Sequence, residues 1–214
     1  MELKSAIKNR RSVRKFLDKK IEPEIIRQII EAAVLAPSAC NIQGWRFIVV
    51  QDQKLKEEMV KKGSASFIKN APLGILVAYD QRTDNTEYQD HIQSASAAIQ
   101  NLLLAAFEQG LGSCWICQLP TKKELSKLFN IPSSFSPIAY IALGYPAQNI
   151  EPMPRKYEID RLIGYNQFPN SIQEAKTKMP GKKLLRKMYF ALPTGLKTIL
   201  FPIVDKYFTK KFKN

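Results

Sequence analysis

The sequence predicts an α+β protein built on one sheet that is covered by helices. Four apolar runs typical of buried strands lie between segments with helical periodicity, and the two types alternate irregularly rather than as a strict βαβ repeat. The chain has 214 residues, of which 45% are hydrophobic and 24% are charged. This length and composition are typical of a globular protein with a substantial core, and they argue against disorder.

The first predicted elements are two helices and a strand. A short helix over residues 3–8 precedes a cluster of arginines. The next helix begins with Pro23, which suits a first helical turn, and ends before Pro37. The run WRFIVVQD (45–52) then predicts a buried strand. The apolar residues of the second helix form one stripe at helical spacing: Ile25, Ile26, Ile29, Ile30, Ala33 and Val34.

The following region predicts three more helices and three more strands. A charged helix over 53–62 and a long helix over 87–109 each end next to a glycine, a residue that commonly terminates helices. The sequence from Thr121 to Glu124 has the form of a capping box and predicts the start of the last helix. The predicted strands are the apolar runs at 73–80, 114–119 and 136–144.

A Cys-x-x-Cys pair, Cys114 and Cys117, falls in the third predicted strand. Residues three apart on a strand point to opposite faces, whereas a disulfide needs Cβ atoms about 3.5–4.5 Å apart. We therefore interpret the pair as wall residues rather than as a working dithiol. No second cysteine pair or histidine cluster offers zinc ligands. The only histidine, His91, lies in the predicted long helix, where we expect a surface or subunit-contact residue.

The sequence also bears on the cellular compartment of the protein and on the presence of common nucleotide-binding motifs. The first residues lack the apolar core of a signal peptide, and an odd number of cysteines fits a reducing compartment, so we expect a cytoplasmic protein. No Gly-x-Gly-x-x-Gly follows a strand and no Gly-x-x-x-x-Gly-Lys-Ser/Thr occurs. Neither common nucleotide-binding loop is therefore present.

Positive charge is concentrated towards the C-terminus. The formal net charge is +14, and residues 170–214 contain eleven Lys and Arg residues against two acidic residues. The chain is therefore divided into a mildly basic domain, residues 1–169, and a basic, aromatic-rich extension, residues 170–214. The apolar run at 188–204 is interrupted by prolines and falls short of the ~20 residues that a membrane-spanning helix needs.

Two polar segments are candidates for a binding site. NRRSVRKF (9–16) places three arginines around a serine, and arginine supplies forked donors that suit phosphate groups. LAPSACNIQGWRF (35–47) is a polar turn between an apolar helix and an apolar strand, so it can present side chains and backbone amides to a ligand. On the residues alone, a solvated basic face and a plain connecting loop remain open alternatives.

In this order, the segments resemble the flavin-dependent nitroreductase family. RRSVRKF is similar to its Arg-Arg-Ser-x-Arg signature, and APSACNIQGWRFIVV is similar to its Ala-Pro-Ser-x-x-Asn-x-Gln-Pro-Trp-x-Phe segment. AAIQNLLLAAFEQGLGSCWI resembles its long helix and Gly-Leu-Gly strand, while ALGYPAQ and PRKYEIDRLIGYNQF resemble the end of its domain. The resemblance covers residues 3–168. One departure is Gly44, where the family usually has proline.

The resemblance implies a nitroreductase-like fold with a mostly antiparallel sheet, and an intertwined homodimer with two FMN molecules at the subunit interface. The residues implied to bind the flavin phosphate and ribityl chain are Arg10, Arg11, Ser12 and Arg14, with Arg155 reaching the phosphate. Those implied to line the flavin from the partner subunit are Pro37, Ser38, Ala39 and Asn41. Those implied to lie along the isoalloxazine ring are Trp115, Ile116 and Cys117.

The resemblance also implies that the flavin carries the chemistry. NADH or NADPH donates hydride, and a small organic acceptor then takes the electrons in a ping-pong sequence. The candidate acceptors that the resemblance implies are a nitroaromatic, a quinone, an enone and a halogenated aromatic. The protein needs few acid-base residues, so no catalytic side chain or metal ligand is assigned. Arg14 is expected to tune the flavin by placing positive charge near its N1/O2 edge.

Three interpretations of residues 170–214 remain open. We favour an extension that wraps around the partner subunit. Alternatively, its basic and aromatic residues lie on an anionic membrane surface at the inner face of the membrane. Nucleic-acid binding is disfavoured because no recognisable binding module is present. The alternative to a reductase is therefore a flavin-bearing membrane-associated or binding protein whose extension is its main functional feature.

Overall fold

The computed structural model describes residues 2–82, 85, 87–151 and 153–169, together with seven single positions between 188 and 200. Contacts between Cα atoms divide the chain into two compact units. The first contains Met1–Ile150 and Thr194–Asn214, and the second contains Glu151–Pro193. The interpretations of the extension, as a subunit wrap or a membrane-binding segment, fall almost entirely outside the described residues.

The first unit is built on a four-stranded sheet in which every neighbouring pair of strands is antiparallel. The strand order is β1-β2-β4-β3. This arrangement confirms the α+β class and the antiparallel sheet that the sequence predicts. The strands are β1 (Trp45–Val50), β2 (Leu73–Asp80), β3 (Gly112–Ile116) and β4 (Phe135–Gly144).

Helices cover both faces of this sheet. Helices α2 and α4 pack on one face, and α3 and α5 pack on the other. Alternate residues of a strand enter the two cores because successive side chains point to opposite faces. In β2, Ile75 and Val77 face α2 and α4, whereas Leu76 faces α3 and α5. The helices are α1 (Leu3–Asn9), α2 (Pro23–Val34), α3 (Gln53–Lys61), α4 (Asp90–Glu108) and α5 (Lys122–Leu128).

The helix ends follow local sequence signals in most cases. Pro23 opens α2, and the predicted capping box opens α5, where the Thr121 side chain accepts from the Glu124 backbone N–H and the Glu124 carboxylate accepts from the Thr121 N–H at 2.9 Å. Helix α4 begins later than predicted, at Asp90. Gln89 has a φ of 53°, a left-handed conformation that does not continue a right-handed helix.

Two sequence-based expectations are corrected. Strand β3 spans Gly112–Ile116 rather than 114–119, because its register with β4 starts at the Gly112–Gly144 pair and the chain bends after Ile116. His91 is buried in the first turn of α4 rather than exposed on the helix surface. Within the described part of the chain, no helix is both long and apolar enough to cross a bilayer.

Candidate functional site

The segment that carries the arginines runs along the outer edge of β3. Ser12 forms a parallel bridge with Ser113, and the Val13 N–H donates to the Ser113 carbonyl at 2.9 Å. Further along, the Leu17 N–H donates to the Tyr145 carbonyl at 2.9 Å. Backbone hydrogen bonds therefore fix the segment on both sides of Arg14.

Two glycines let this segment approach the sheet closely. Gly112 and Gly144 are cross-strand partners in β3 and β4. The Val13 side chain occupies the space above Gly112, and a Cβ atom on Gly144 would lie 2.8 Å from Phe16 Cδ1. A side chain at position 112 would therefore have to displace Val13, and one at position 144 would have to displace both Phe16 and Pro72.

Arg10, Ser12 and Arg14 lie on the segment that borders β3, where Ser12 forms its bridge with Ser113. Burial raises the pKa of the Cys114 thiol, while the charges of Arg14 and Arg10 and a hydrogen bond from Ser12 oppose that rise. Two guanidinium groups and a hydroxyl on one short segment form a donor set that suits a phosphate group.

Arg11 points in a different direction from its neighbours. Its Nη1 atom donates to the Lys8 carbonyl at 2.6 Å and to the Arg10 carbonyl at 2.8 Å. These acceptors lie at the C-terminal end of α1, where carbonyl groups have no partner within the helix. Arg11 therefore caps α1, a role that the arginine-rich motif does not reveal.

The predicted wall residues of β3 do not share one face. Trp115 is 37% exposed, whereas Ile116 is buried in the core beneath α3 and α5. Cys117 is exposed and follows the end of the strand. Trp115 and Cys117 are thus available to a ligand through their side chains, and Ile116 only through its backbone.

The second predicted segment, residues 37–43, forms a loop with an unusual backbone, which we call the polar loop. Cys40, Asn41 and Gln43 have positive φ angles of 49°, 56° and 50°. The Ser38 Oγ accepts from the Gln43 N–H at 3.0 Å, and the Asn41 Oδ1 accepts from Gln43 Nε2 at 2.7 Å. Non-glycine residues adopt such angles only where the surroundings impose them, and they cluster at ligand-binding sites.

The two predicted groups of ligands lie at opposite edges of the sheet. The polar loop leads into β1, whereas the arginine segment borders β3, and two central strands separate these edges. Since neighbouring strands are about 4.8 Å apart, the edges are separated by about 14 Å. One protomer therefore does not bring the polar loop and the arginine segment together.

One position that helps to build the site, Ser94, cannot be recognised in the sequence, where it is one of many small residues on the long helix. Gly112 and Gly144 lie within the quoted motifs, but the sequence does not show what packs against them. Arg155 is exposed and belongs to the second unit. Within the described ranges, no group of three or more His, Cys, Asp or Glu side chains could hold a metal ion.

The family of the chain follows from its match to a family model. The model of the Nitroreductase family matches residues 7–63 and 57–145, which include the arginine segment, the polar loop and all four strands. The chain belongs to the nitroreductase family. The family inferred from the ordered motifs is thereby confirmed.

Individual nitroreductase relatives agree with this assignment. A protein of Methanothermobacter thermautotrophicus, which carries the provisional name NADH dehydrogenase/NAD(P)H nitroreductase, is 37% identical over 153 residues, covering 70% of this chain and 80% of the relative. A solved structure from Parabacteroides distasonis with the same provisional name has a TM-score of 0.70 and 33% identity, covering 78% of this chain and 98% of its own. The solved structure of the FMN-dependent nitroreductase of Clostridium difficile R20291 has a TM-score of 0.68 and 31% identity, covering 77% of this chain and 99% of its own.

Proposed function

We propose that this nitroreductase-family protein is an FMN-dependent oxidoreductase that takes hydride from NADH or NADPH and reduces a small organic acceptor. The observation that carries the proposal is that backbone hydrogen bonds hold the arginine segment, with Arg10, Ser12 and Arg14, against the edge of β3. The names of the relatives, which include NAD(P)H nitroreductase and FMN-dependent nitroreductase, support the choice of donor and cofactor.

The arginine segment fits the phosphate end of FMN. Arg10 and Arg14 supply forked, permanently charged donors, and Ser12 adds a hydroxyl. Their backbone is fixed by hydrogen bonds to Ser113 and Tyr145, so little freedom is lost when a phosphate binds. Arg11 contributes indirectly by holding the end of α1, and the phosphate contact expected of Arg155 stays a prediction.

The ring end of the site lies towards Trp115 and Cys117. Trp115 offers a large, partly exposed apolar surface at the end of β3, and Cys117 adds a small side chain beside it. Such a wall excludes water from one side of a bound ring. Arg14 adds positive charge to this side of the sheet, which favours a ligand that gains negative charge when it is reduced.

We propose that a second protomer completes the site. Pro37, Ser38, Ala39 and Asn41 are placed by the polar loop at the far edge of the sheet from the arginine segment. A homodimer that lays the polar loop of one protomer against β3 of the other would use both groups. The separation of the two groups within one chain supports this arrangement.

The chemistry needs few reactive side chains. When bound, FMN accepts hydride from a nicotinamide and passes electrons to an acceptor, so that donor and acceptor use the site in turn. The role of this chain is to bind the phosphate, orient the ring, exclude water and supply charge through Arg14. We propose a nitroaromatic, a quinone or an enone as the acceptor class.

The absorbance spectrum of the purified protein between 300 and 550 nm, recorded before and after anaerobic addition of NADH and then NADPH, tests this proposal. We expect a flavin spectrum that bleaches with at least one of the two donors. Recovery of the spectrum on anaerobic addition of a nitroaromatic, a quinone or an enone then identifies the acceptor class. A protein that cannot be reconstituted with FMN, or a bound flavin that neither donor reduces, would contradict the proposal.

A further inference from the structure

We infer that Ser94 is a positioning residue of the flavin site, whose hydroxyl holds the polar loop in its binding conformation. Ser94 belongs to α4 and is 4% exposed. Its Oγ atom accepts a hydrogen bond from the Ala39 backbone N–H at 3.1 Å, across 55 residues of sequence. The inference rests on the proposed function, because it assigns Ser94 a role in FMN binding.

The bond replaces a cap that the polar loop lacks. Residues Ala39–Asn41 form a single 3₁₀ turn, in which the Asn41 N–H donates to the Ser38 carbonyl at 3.0 Å and the Ile42 N–H donates to the Ala39 carbonyl at 3.1 Å. The first N–H groups of a helical turn have no partner within it. Ser38 precedes the turn, but its Oγ accepts from the Gln43 N–H instead. Ser94 therefore satisfies the Ala39 N–H from a neighbouring helix.

The hydrogen bond from Ala39 to Ser94 also affects the position of the side chains that are proposed to contact FMN. The positive φ angles of Cys40, Asn41 and Gln43 persist only if the surrounding structure holds them. The hydroxyl of Ser94, a buried residue of α4, holds this strained turn against the core. Without it, the turn can relax and carry the Asn41 side chain away from its present position, while the core beneath stays packed.

The test compares Ser94→Ala with Ser136→Ala. Alanine is the most favourable helix residue, so Ser94→Ala should fold. Ser136 is a matched control, because it is also 4% exposed and its Oγ accepts one hydrogen bond, from Lys122 Nζ at 2.8 Å, but this bond joins β4 to α5 rather than to the polar loop. The measurements are the FMN dissociation constant, the melting temperature, and hydrogen exchange of peptides covering residues 36–44 in flavin-free protein.

We expect Ser94→Ala to weaken FMN binding about 3- to 10-fold, which corresponds to loss of one ordinary hydrogen bond. Hydrogen exchange over residues 36–44 should also become faster. Ser136→Ala should change neither quantity, although its melting temperature falls by a similar amount. Unchanged exchange in Ser94→Ala, or equal loss of FMN affinity in both variants, would overturn the inference. If the wild-type protein binds no FMN, the proposed function fails, and the exchange measurement still decides whether Ser94 holds the polar loop.

Discussion

Gly112 and Val13 are packed so closely that a Cβ atom at position 112 would lie 2.6 Å from Val13 Cγ2. Val13 is 6% exposed and lies between Ser12 and Arg14, two of the proposed phosphate ligands. The missing side chain at position 112 therefore sets how deeply the arginine segment lies against β3. A residue with no functional group of its own thus determines where the arginine segment lies on the sheet.

Replacing Gly112 by alanine should weaken FMN binding about tenfold or more. The added methyl group has to displace Val13, and overpacking of this kind costs roughly 1–3 kcal/mol. Gly110→Ala is the control, because Gly110 has a φ of +74° and no atoms near its Cβ position. That control should lose stability through backbone strain but keep its FMN affinity. Fluorescence titration with FMN measures both variants, and equal dissociation constants for the two would contradict the role of Gly112.

Arg14→Ala should impair FMN binding far more than Arg11→Ala. Loss of a hydrogen bond to a charged group costs about 1.5–3 kcal/mol, which corresponds to roughly 10- to 150-fold in affinity. Arg11→Ala removes the hydrogen bonds to the Lys8 and Arg10 carbonyls, so its main effect should be on the stability of α1. Dissociation constants and the rate of reduction by NADH distinguish the two. A larger loss of affinity in Arg11→Ala than in Arg14→Ala would show that the ligand assignment is wrong.

Gly44→Ala should destabilise the protein by about 1–3 kcal/mol. A Cβ atom at position 44 would lie 2.8 Å from Tyr79 Cε1 and 3.0 Å from Asp80 Cβ. The ring of Tyr79 therefore leaves no room for a side chain at position 44. Chemical denaturation measures the change, and the substitution should cost less in a Tyr79→Leu background. Equal costs in the two backgrounds would rule out this explanation.

Tyr140→Phe should be neutral or stabilising at pH 7 and should flatten the loss of stability at high pH. The Tyr140 hydroxyl is buried and has no hydrogen-bond partner among the described residues, and burial raises its pKa. The unfolded chain therefore loses this proton at about pH 10, while the folded chain still keeps it. Stability then falls by about 1.4 kcal/mol per pH unit above that point. The free energy of unfolding is measured by denaturation between pH 9 and pH 11. An equal loss in wild type and variant would contradict the assignment of the pH dependence to the buried Tyr140 hydroxyl.

The elements that the sequence predicts best are those buried on both faces. Strand β2 coincides with the predicted run at 73–80, because a central strand between two helical layers is apolar throughout. The predicted strand β3 starts two residues and ends three residues too late, because its bounds depend on pairing with β4, which no local pattern encodes. The surface position, one of the two expected for His91, is wrong because the burial of this residue depends on the elements packed around the start of α4.

The sequence predicts which residues belong to the candidate site better than it predicts how they are arranged in space. The motifs identify Arg10, Ser12 and Arg14, whose position at the edge of the sheet depends on the pairing of their backbone with β3. The hydrogen bonds of the Arg11 side chain and the burial of Ile116 are set by contacts in the folded chain, so the motifs could not predict them.

The shared flavin site is tested most directly by the FMN content of a mixed dimer. Arg14→Ala and Asn41→Ala chains carrying different affinity tags are co-expressed, and the species bearing both tags is purified at FMN concentrations that leave each single variant empty. If each site combines the arginine segment of one protomer with the polar loop of the other, one site of the mixed dimer is intact and the second has both defects. We predict about one FMN per mixed dimer, reducible by a nicotinamide donor. A mixed dimer that remains empty would mean that both groups act on a cofactor within one chain, or that they do not share a site.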